Sequence, residues 1–254
     1  MQLTPLLLAA VLSAVLSSTA IAAETAPSEE QTPKWSGSAE LGYVSTSGNS
    51  EETDIKGRFD AEREVDQWRF TTHFDSLNSK SDGVRSAEKY YLTNRLAYKF
   101  NKNDYAFVYQ SYDEDHFSGF DYQATIAAGY GRRILLPPPM TWDIEAGPGY
   151  RYSKLDDSND NVTQGVDGSS TEEVILRLYT KYNWQLSETS TFQQTLNVES
   201  GKEATISKSV TSLKVMIAGA LAMKLSYTVK YTDEVPKGTV HADTETAVTL
   251  LYEF

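Results

Sequence analysis

Three imidazoles, His73, His116 and His241, are the only side chains here whose ordinary titration falls near neutral pH. A histidine acting as general base needs a nucleophile within hydrogen-bond reach and a carboxylate to orient it. His73 lies in a run of alternating polarity, His116 in the acidic stretch DEDHFSG, and His241 opens the last alternating segment. None has a Ser or Asp at a spacing that assembles a triad, so all three read as lumen or loop histidines. No catalytic residue is assigned, and an enzyme ranks third among the readings below.

The second candidate is the run Asp156-Asp157-Ser158-Asn159-Asp160-Asn161. Counted from Asp157, Asn159 and Asn161 fill the third and fifth places of a calcium loop. Val162 then stands where the turn requires Gly, and Gly168 where the twelfth place requires Glu. An EF-hand is rejected; weak divalent-ion binding remains, set against a solvated acidic loop. The chain also lacks a phosphate-cradling glycine loop, a zinc spacing and a heme motif, so no metal residue and no cofactor is assigned. A net charge of −12 excludes nucleic acid as a partner, because its phosphates would be repelled. With no cysteine there is neither a disulfide nor a lipid-bearing residue.

The elements that would position these residues have a period of two. In Thr246 to Phe254, Thr246, Val248, Leu250, Tyr252 and Phe254 share one face, while Ala247, Thr249, Leu251 and Glu253 share the other. Similar segments recur near 35 to 47, 53 to 63, 68 to 77, 87 to 100, 105 to 112, 120 to 134, 141 to 154, 172 to 186, 190 to 200, 207 to 217, 221 to 231 and 241 to 254. Each suits the roughly 9 to 11 residues of a tilted membrane strand, the fifth being the shortest. With one phase chosen per strand, the outward positions are expected to carry no charge. The inward ones collect thirteen acids and thirteen bases, a neutral lumen. The apolar run 215 to 223 is too short to cross a bilayer as a helix.

Connection lengths and aromatics give a direction. Residues 64 to 67, 101 to 104, 135 to 140, 187 to 189 and 218 to 220 are the short, periplasmic turns. Residues 48 to 52, 78 to 86, 113 to 119, 155 to 171, 201 to 206 and 232 to 240 are the outer loops. Trp35, Trp68, Trp142, Trp184, Tyr105, Phe192 and Phe254 then fall at the periplasmic rim, and Tyr43, Tyr150, Tyr152 and Tyr231 near the outer rim, two belts of interfacial rings. Local registers follow: Glu62 opposite Arg69, Lys56 opposite Asp75, His73 beside Arg58 and Gly57 beneath Phe74. On the other side of the barrel Arg177 faces Glu199 and Trp184 faces Phe192. Pro148, lacking an N–H, predicts a bulge within Gly147-Pro148-Gly149.

Residues 1 to 22 hold an apolar run, Leu6 to Leu16, and end Ala20-Ile21-Ala22, which predicts a secretory signal peptide; residues 23 to 34 read as a disordered periplasmic arm. A final strand ending Tyr-x-Phe resembles the C-terminal signature of Gram-negative outer-membrane barrels. The pieces SGSAELGYVSTSGNSE (36 to 51), DYQATIAAGYGRR (121 to 133), AGPGYRY (146 to 152), MKLSYTVKYTDEVP (223 to 236) and TETAVTLLYEF (244 to 254) resemble the YdiY-like family of salt-induced outer-membrane proteins. That resemblance covers residues 35 to 254 and supplies no site residues.

The expectation is therefore an all-β, single-domain, transmembrane antiparallel β-barrel of about twelve strands in the cell outer membrane. Its partners would be outer-membrane lipid and lipopolysaccharide, with the barrel assembly machinery engaged through the C-terminal strand. It is read as an envelope or stress-related component with a salt-bridged, mostly plugged lumen, the alternative being a narrow channel for small solutes or ions. A soluble β-sandwich is the rival fold.

Overall fold

A computed structural model describes residues 35–47, 53–81, 84–115, 120–137, 139–155, 170–235 and 240–254. Twelve strands follow one another: β1 (Trp35–Ser47), β2 (Thr53–Val65), β3 (Trp68–Ser81), β4 (Val84–Lys99), β5 (Asp104–Asp115), β6 (Phe120–Leu135), β7 (Met140–Leu155), β8 (Ser170–Gln185), β9 (Ser190–Ser200), β10 (Thr205–Ala218), β11 (Leu221–Thr232) and β12 (Ala242–Glu253). Each pairs antiparallel with the next, and β12 returns to β1 to close the barrel. The fifth strand is not the shortest; β5 has 12 residues and β9 has 11.

Polarity is reversed relative to a water-soluble domain. On β8, Val174 and Leu176 are 72% and 51% exposed on the outside, whereas Arg177 is 2% exposed within. Exposed leucines around buried ion pairs are stable only where the surroundings are apolar and the interior is polar. Closure matters as much: a ring of strands leaves no unpaired edge, which a lipid environment cannot tolerate.

The four tryptophans lie outside at the end of the barrel that carries the turns 66–67, 100–103, 136–139, 186–189 and 219–220, called here the turn end. The opposite, loop end carries the other connections. Only two of these, 156–169 and 233–241, are much longer than the turns, because β3 and β4 extend to Ser81 and Val84 and reduce the expected 78 to 86 loop to two residues.

Four further expectations are corrected. In the β2–β3 hairpin, Val65 faces Trp68 and a two-residue turn places Asp66 at φ 52°. This tight turn moves the register two residues, so that Glu64 faces Arg69, Arg58 faces Asp75, Asp60 faces His73 and Phe59 faces Phe74. The β8–β9 register is as expected, with Arg177 opposite Glu199 and Trp184 opposite Phe192.

Pro148 makes no bulge: it faces Leu176 on β8 in continuous register, and pairing to β6 merely lapses between Ala127↔Gly149 and Tyr130↔Ala146. Here Gly129 meets Gly147; a Cβ on Gly129 would lie 2.2 Å from the Ala146 carbonyl oxygen. Two bare backbones close up and absorb the proline without an inserted residue.

Tyr105 is not at the rim. It turns inward, and its ring crosses Gly131 on β6, where a Cβ would come within 2.3 Å of it.

Nor is the outer face free of charge. At the loop end Glu88, Glu114 and Glu172 accept hydrogen bonds from Tyr90, Tyr112 and Tyr150. At the turn end Arg63 covers Trp35, and Arg132 lies 3.5 Å from Asp104. A 16-residue strand such as β8 is about 50 Å long and, tilted near 45°, rises roughly 35 Å, beyond the ~25 Å apolar band. Its ends therefore reach polar surroundings, where a charge costs only about 0–1 kcal/mol.

Candidate functional site

Alternation sends every second side chain into the lumen, and these side chains pair across it. At the turn end Arg133 grips Asp143 through two hydrogen bonds of 2.7 and 2.8 Å, a fork geometry that fixes both planes. Lys99 reaches Glu64 and Lys214 reaches Glu253 at the same end.

Midway, Glu145 is 1% exposed and gathers three donors: Arg95, Arg177 at 3.1 Å and the Tyr105 hydroxyl at 3.0 Å. The Arg177 guanidinium also lies 3.8 Å from the centroid of the Tyr109 ring, and Arg69 lies 5.3 Å from that of Tyr105. The β5 row Tyr105, Phe107 and Tyr109, packed with Ala97 and Ala127, thus forms an aromatic wall on which guanidinium groups stack. The Nε atoms of Arg69 and Arg177 are buried without a hydrogen-bond partner, as expected for groups held by ring faces.

Toward the loop end the pairs multiply. Lys56 joins Asp75 at 2.9 Å and Glu245; Arg58 joins Asp75 at 2.6 Å. Lys230 meets Asp113 at 2.8 Å, Lys89 meets Asp115 at 2.9 Å, and Arg151 bridges Glu173 and, at 3.9 Å, Glu199.

The open space narrows accordingly. A vestibule of about 590 Å³ at the turn end, lined by Ser36, Lys181 and Glu253, leads to a cavity of about 230 Å³ at mid-height. Beyond it, among the described residues, a cavity of about 80 Å³ lies between Lys56, Asp75, Asp113 and Lys230. What this arrangement can do chemically is restrict passage and hold charge.

The two described histidines, His73 and His241, are not brought together. His73 faces the lumen with Nδ1 2.7 Å from Asp60 and its ring edge-on to Tyr91. His241 directs Nδ1 to the Thr232 carbonyl at 2.9 Å and stacks on Tyr231. His116, the acidic run 156–161, the segment 1–22 and the arm 23–34 lie outside the described residues. Among the described residues no three His, Asp or Glu side chains converge as metal ligands would.

The inward census missed Glu64, Lys89, Asp113 and Asp115. Lys89 shares the phase of Arg95 and Lys99 and was open to detection; the others lie past the assumed strand ends. Asp121 leaves the alternation, because a register shift between Phe120 and Tyr122 takes it out of the ladder, and Lys154 reaches it at 2.6 Å. At the loop end, Asp233 accepts a 2.6 Å hydrogen bond from the Thr205 backbone N–H, which favours the carboxylate and lowers its pKa below the ordinary value.

A closed, inside-out antiparallel barrel is the fold of outer-membrane β-barrel proteins, and solved structures agree. The NanC porin superposes with a TM-score of 0.53 at 11% identity, covering 85% of this chain and all of that one. The translocator domain of the autotransporter NalP from Neisseria meningitidis gives 0.51 at 11% identity, covering 87% of this chain and 88% of that one. At such identity the likeness is one of fold alone.

Residues 39–254 match the family described as "Protein of unknown function, DUF481", and the chain belongs to that family. It is also 29% identical over 221 residues to the uncharacterized protein YdiY of Escherichia coli (strain K12), covering 85% of this chain and 82% of that one, in keeping with the YdiY-like resemblance.

Proposed function

We propose that this protein is an outer-membrane envelope component whose lumen is shut toward the loop end by ion pairs and is not an open pore. The observation that carries the reading is the taper, among the described residues, from about 590 to about 80 Å³ between Lys56, Asp75, Asp113 and Lys230, with the ion pairs that hold these side chains. Long charged side chains paired across a twelve-strand barrel fill it, whereas barrels of 16 to 18 strands leave an aqueous channel. In this reading residues 1–22 direct export, 23–34 form a periplasmic arm, and the 156–169 connection faces outward. Lipid and lipopolysaccharide surround the wall, and β12 presents the chain to the assembly machinery. The stress-related role rests on the resemblance to salt-induced relatives.

The wide turn-end vestibule favours one alternative, a narrow channel for small solutes or ions. Refolded protein in planar bilayers decides between them. Small or no steady current is expected; steady currents of porin size would overturn the closed lumen and promote the channel.

A further inference from the structure

The charges of the lumen nearly balance by count but not by place. The mid-height cavity of about 230 Å³ is lined by six cationic side chains and only two carboxylates. Four of the cations are already answered: Arg58 by Asp75 at 2.6 Å, Lys224 by Glu40 at 2.8 Å, and Arg95 and Arg177 by the Glu145 they share. Asp60 holds His73, and Glu62 accepts a hydrogen bond from Thr71 at 3.3 Å.

Lys181 and Lys208 are left over. Among the described residues neither ammonium has a carboxylate at ion-pair distance. Lys208 lies over the Tyr91 ring, 3.7 Å from its centroid, which attracts the charge without neutralising it. Uncompensated cations in a narrow polar cavity are costly, and low-dielectric walls focus their field; a counterion drawn from solution relieves both.

The register says what shape of anion suits them. Lys181 faces Thr195 and Lys208 faces Asn197, so the two lysines flank β9 from either side and are offset by one repeat of the pleat. Their strands are about 10 Å apart, and both side chains line the same cavity. A compact oxyanion neutralises one ammonium at a time, whereas an anion with separated charges answers both.

We propose that this cavity binds a small organic di- or tricarboxylate between Lys181 and Lys208, admitted from the turn-end vestibule. The site rests on the reading of a lumen narrowed toward the loop end, which would stop the ligand at mid-height. Binding and conduction are separate measurements and each can fail alone: currents recorded without carboxylate test closure, and equilibrium binding tests the cavity.

The experiment is calorimetric titration of refolded protein with citrate at fixed ionic strength, with inorganic phosphate as the compact comparison. Saturable binding of one citrate per barrel is expected, weakened at least tenfold in Lys181→Met and in Lys208→Met. It should be unchanged in Lys202→Met, which removes the same charge from a side chain 91% exposed outside the lumen. Heat-modifiable gel mobility verifies that each variant is folded, and Lys181→Gln and Lys208→Gln replace any that is not. Absence of saturable citrate binding, equal weakening by all three substitutions, or phosphate bound as tightly as citrate would overturn the proposal.

Discussion

Glu145→Leu tests the central claim, that ion pairs and not packing alone hold the interior. The carboxylate is 1% exposed and is the shared counterion of Arg95 and Arg177. Its removal leaves two guanidinium groups close together, their side chains 15% and 3% exposed, so solvent screens them only partly. Breaking a buried pair by deleting one partner costs about 3–5 kcal/mol. That is on the order of 10²- to 10⁴-fold in the folding equilibrium. With a urea dependence of about 1–3 kcal/mol per molar, the midpoint should fall by at least about 1 M. Reversible unfolding in lipid vesicles, followed by fluorescence of the four rim tryptophans, measures it. Glu64→Gln is the control, since its side chain is 49% exposed beside Lys99 and the pair is worth about 0–1 kcal/mol. Charge and packing are then separated by the triple variant Arg95→Met, Glu145→Leu, Arg177→Leu, which leaves no uncompensated ion and should recover most of the loss. Equal shifts for Glu145→Leu and Glu64→Gln would refute the reasoning, as would a triple variant no more stable than Glu145→Leu.

Deleting Phe254 removes two backbone hydrogen bonds of 3.0 Å to Gly37 at the β1–β12 seam and the stack on Phe59, together about 2–4 kcal/mol. The folded fraction on an unboiled gel should drop sharply, and less so for Phe254→Ala, which keeps the hydrogen bonds; unchanged yield in both would contradict the seam. The pKa of Asp233 is lowered in the folded state, so its contribution is present above the ordinary carboxylate range and is lost as pH falls through the lowered value. The Thr205 amide resonance should therefore titrate below about pH 3.9 and lose that step in Asp233→Asn; an inflection at or above that pH would refute the assignment.

Periodicity made the strands legible, since alternation is dictated by the pleat and needs no knowledge of neighbours. It also sufficed for the β8–β9 register, where Arg177 and Glu199 on one face and Trp184 and Phe192 on the other admit a single alignment. The β2–β3 register escaped because its turn is made by Asp66 in a left-handed conformation, which carries no glycine signal, and shifting by two residues keeps every side chain on its face. Rim charges escaped for a different reason: alternation treats a strand as uniform along its length, while the apolar band ends before the strand does.

The lumen was legible in its sum and not in its distribution. Closure brings together residues far apart in sequence, Lys56 with Glu245 across 189 positions and Lys230 with Asp113 across 117, so no local pattern indicates which charges find partners. A neutral count is compatible with a uniform lattice or with a segregated one, and only the segregated one creates a field. Here cations dominate the mid-height cavity, whereas five carboxylates and five cations share the loop-end constriction, where Lys56, Lys89 and Lys230 are held in ion pairs. An anion entering from the turn end would pass a vestibule of mixed charge, meet attraction at mid-height and then reach a constriction whose charges balance. A nearly balanced set of charges thus still gives the middle of the lumen a field that the count alone does not show, because the cation excess sits at the cavity that Lys181 and Lys208 line.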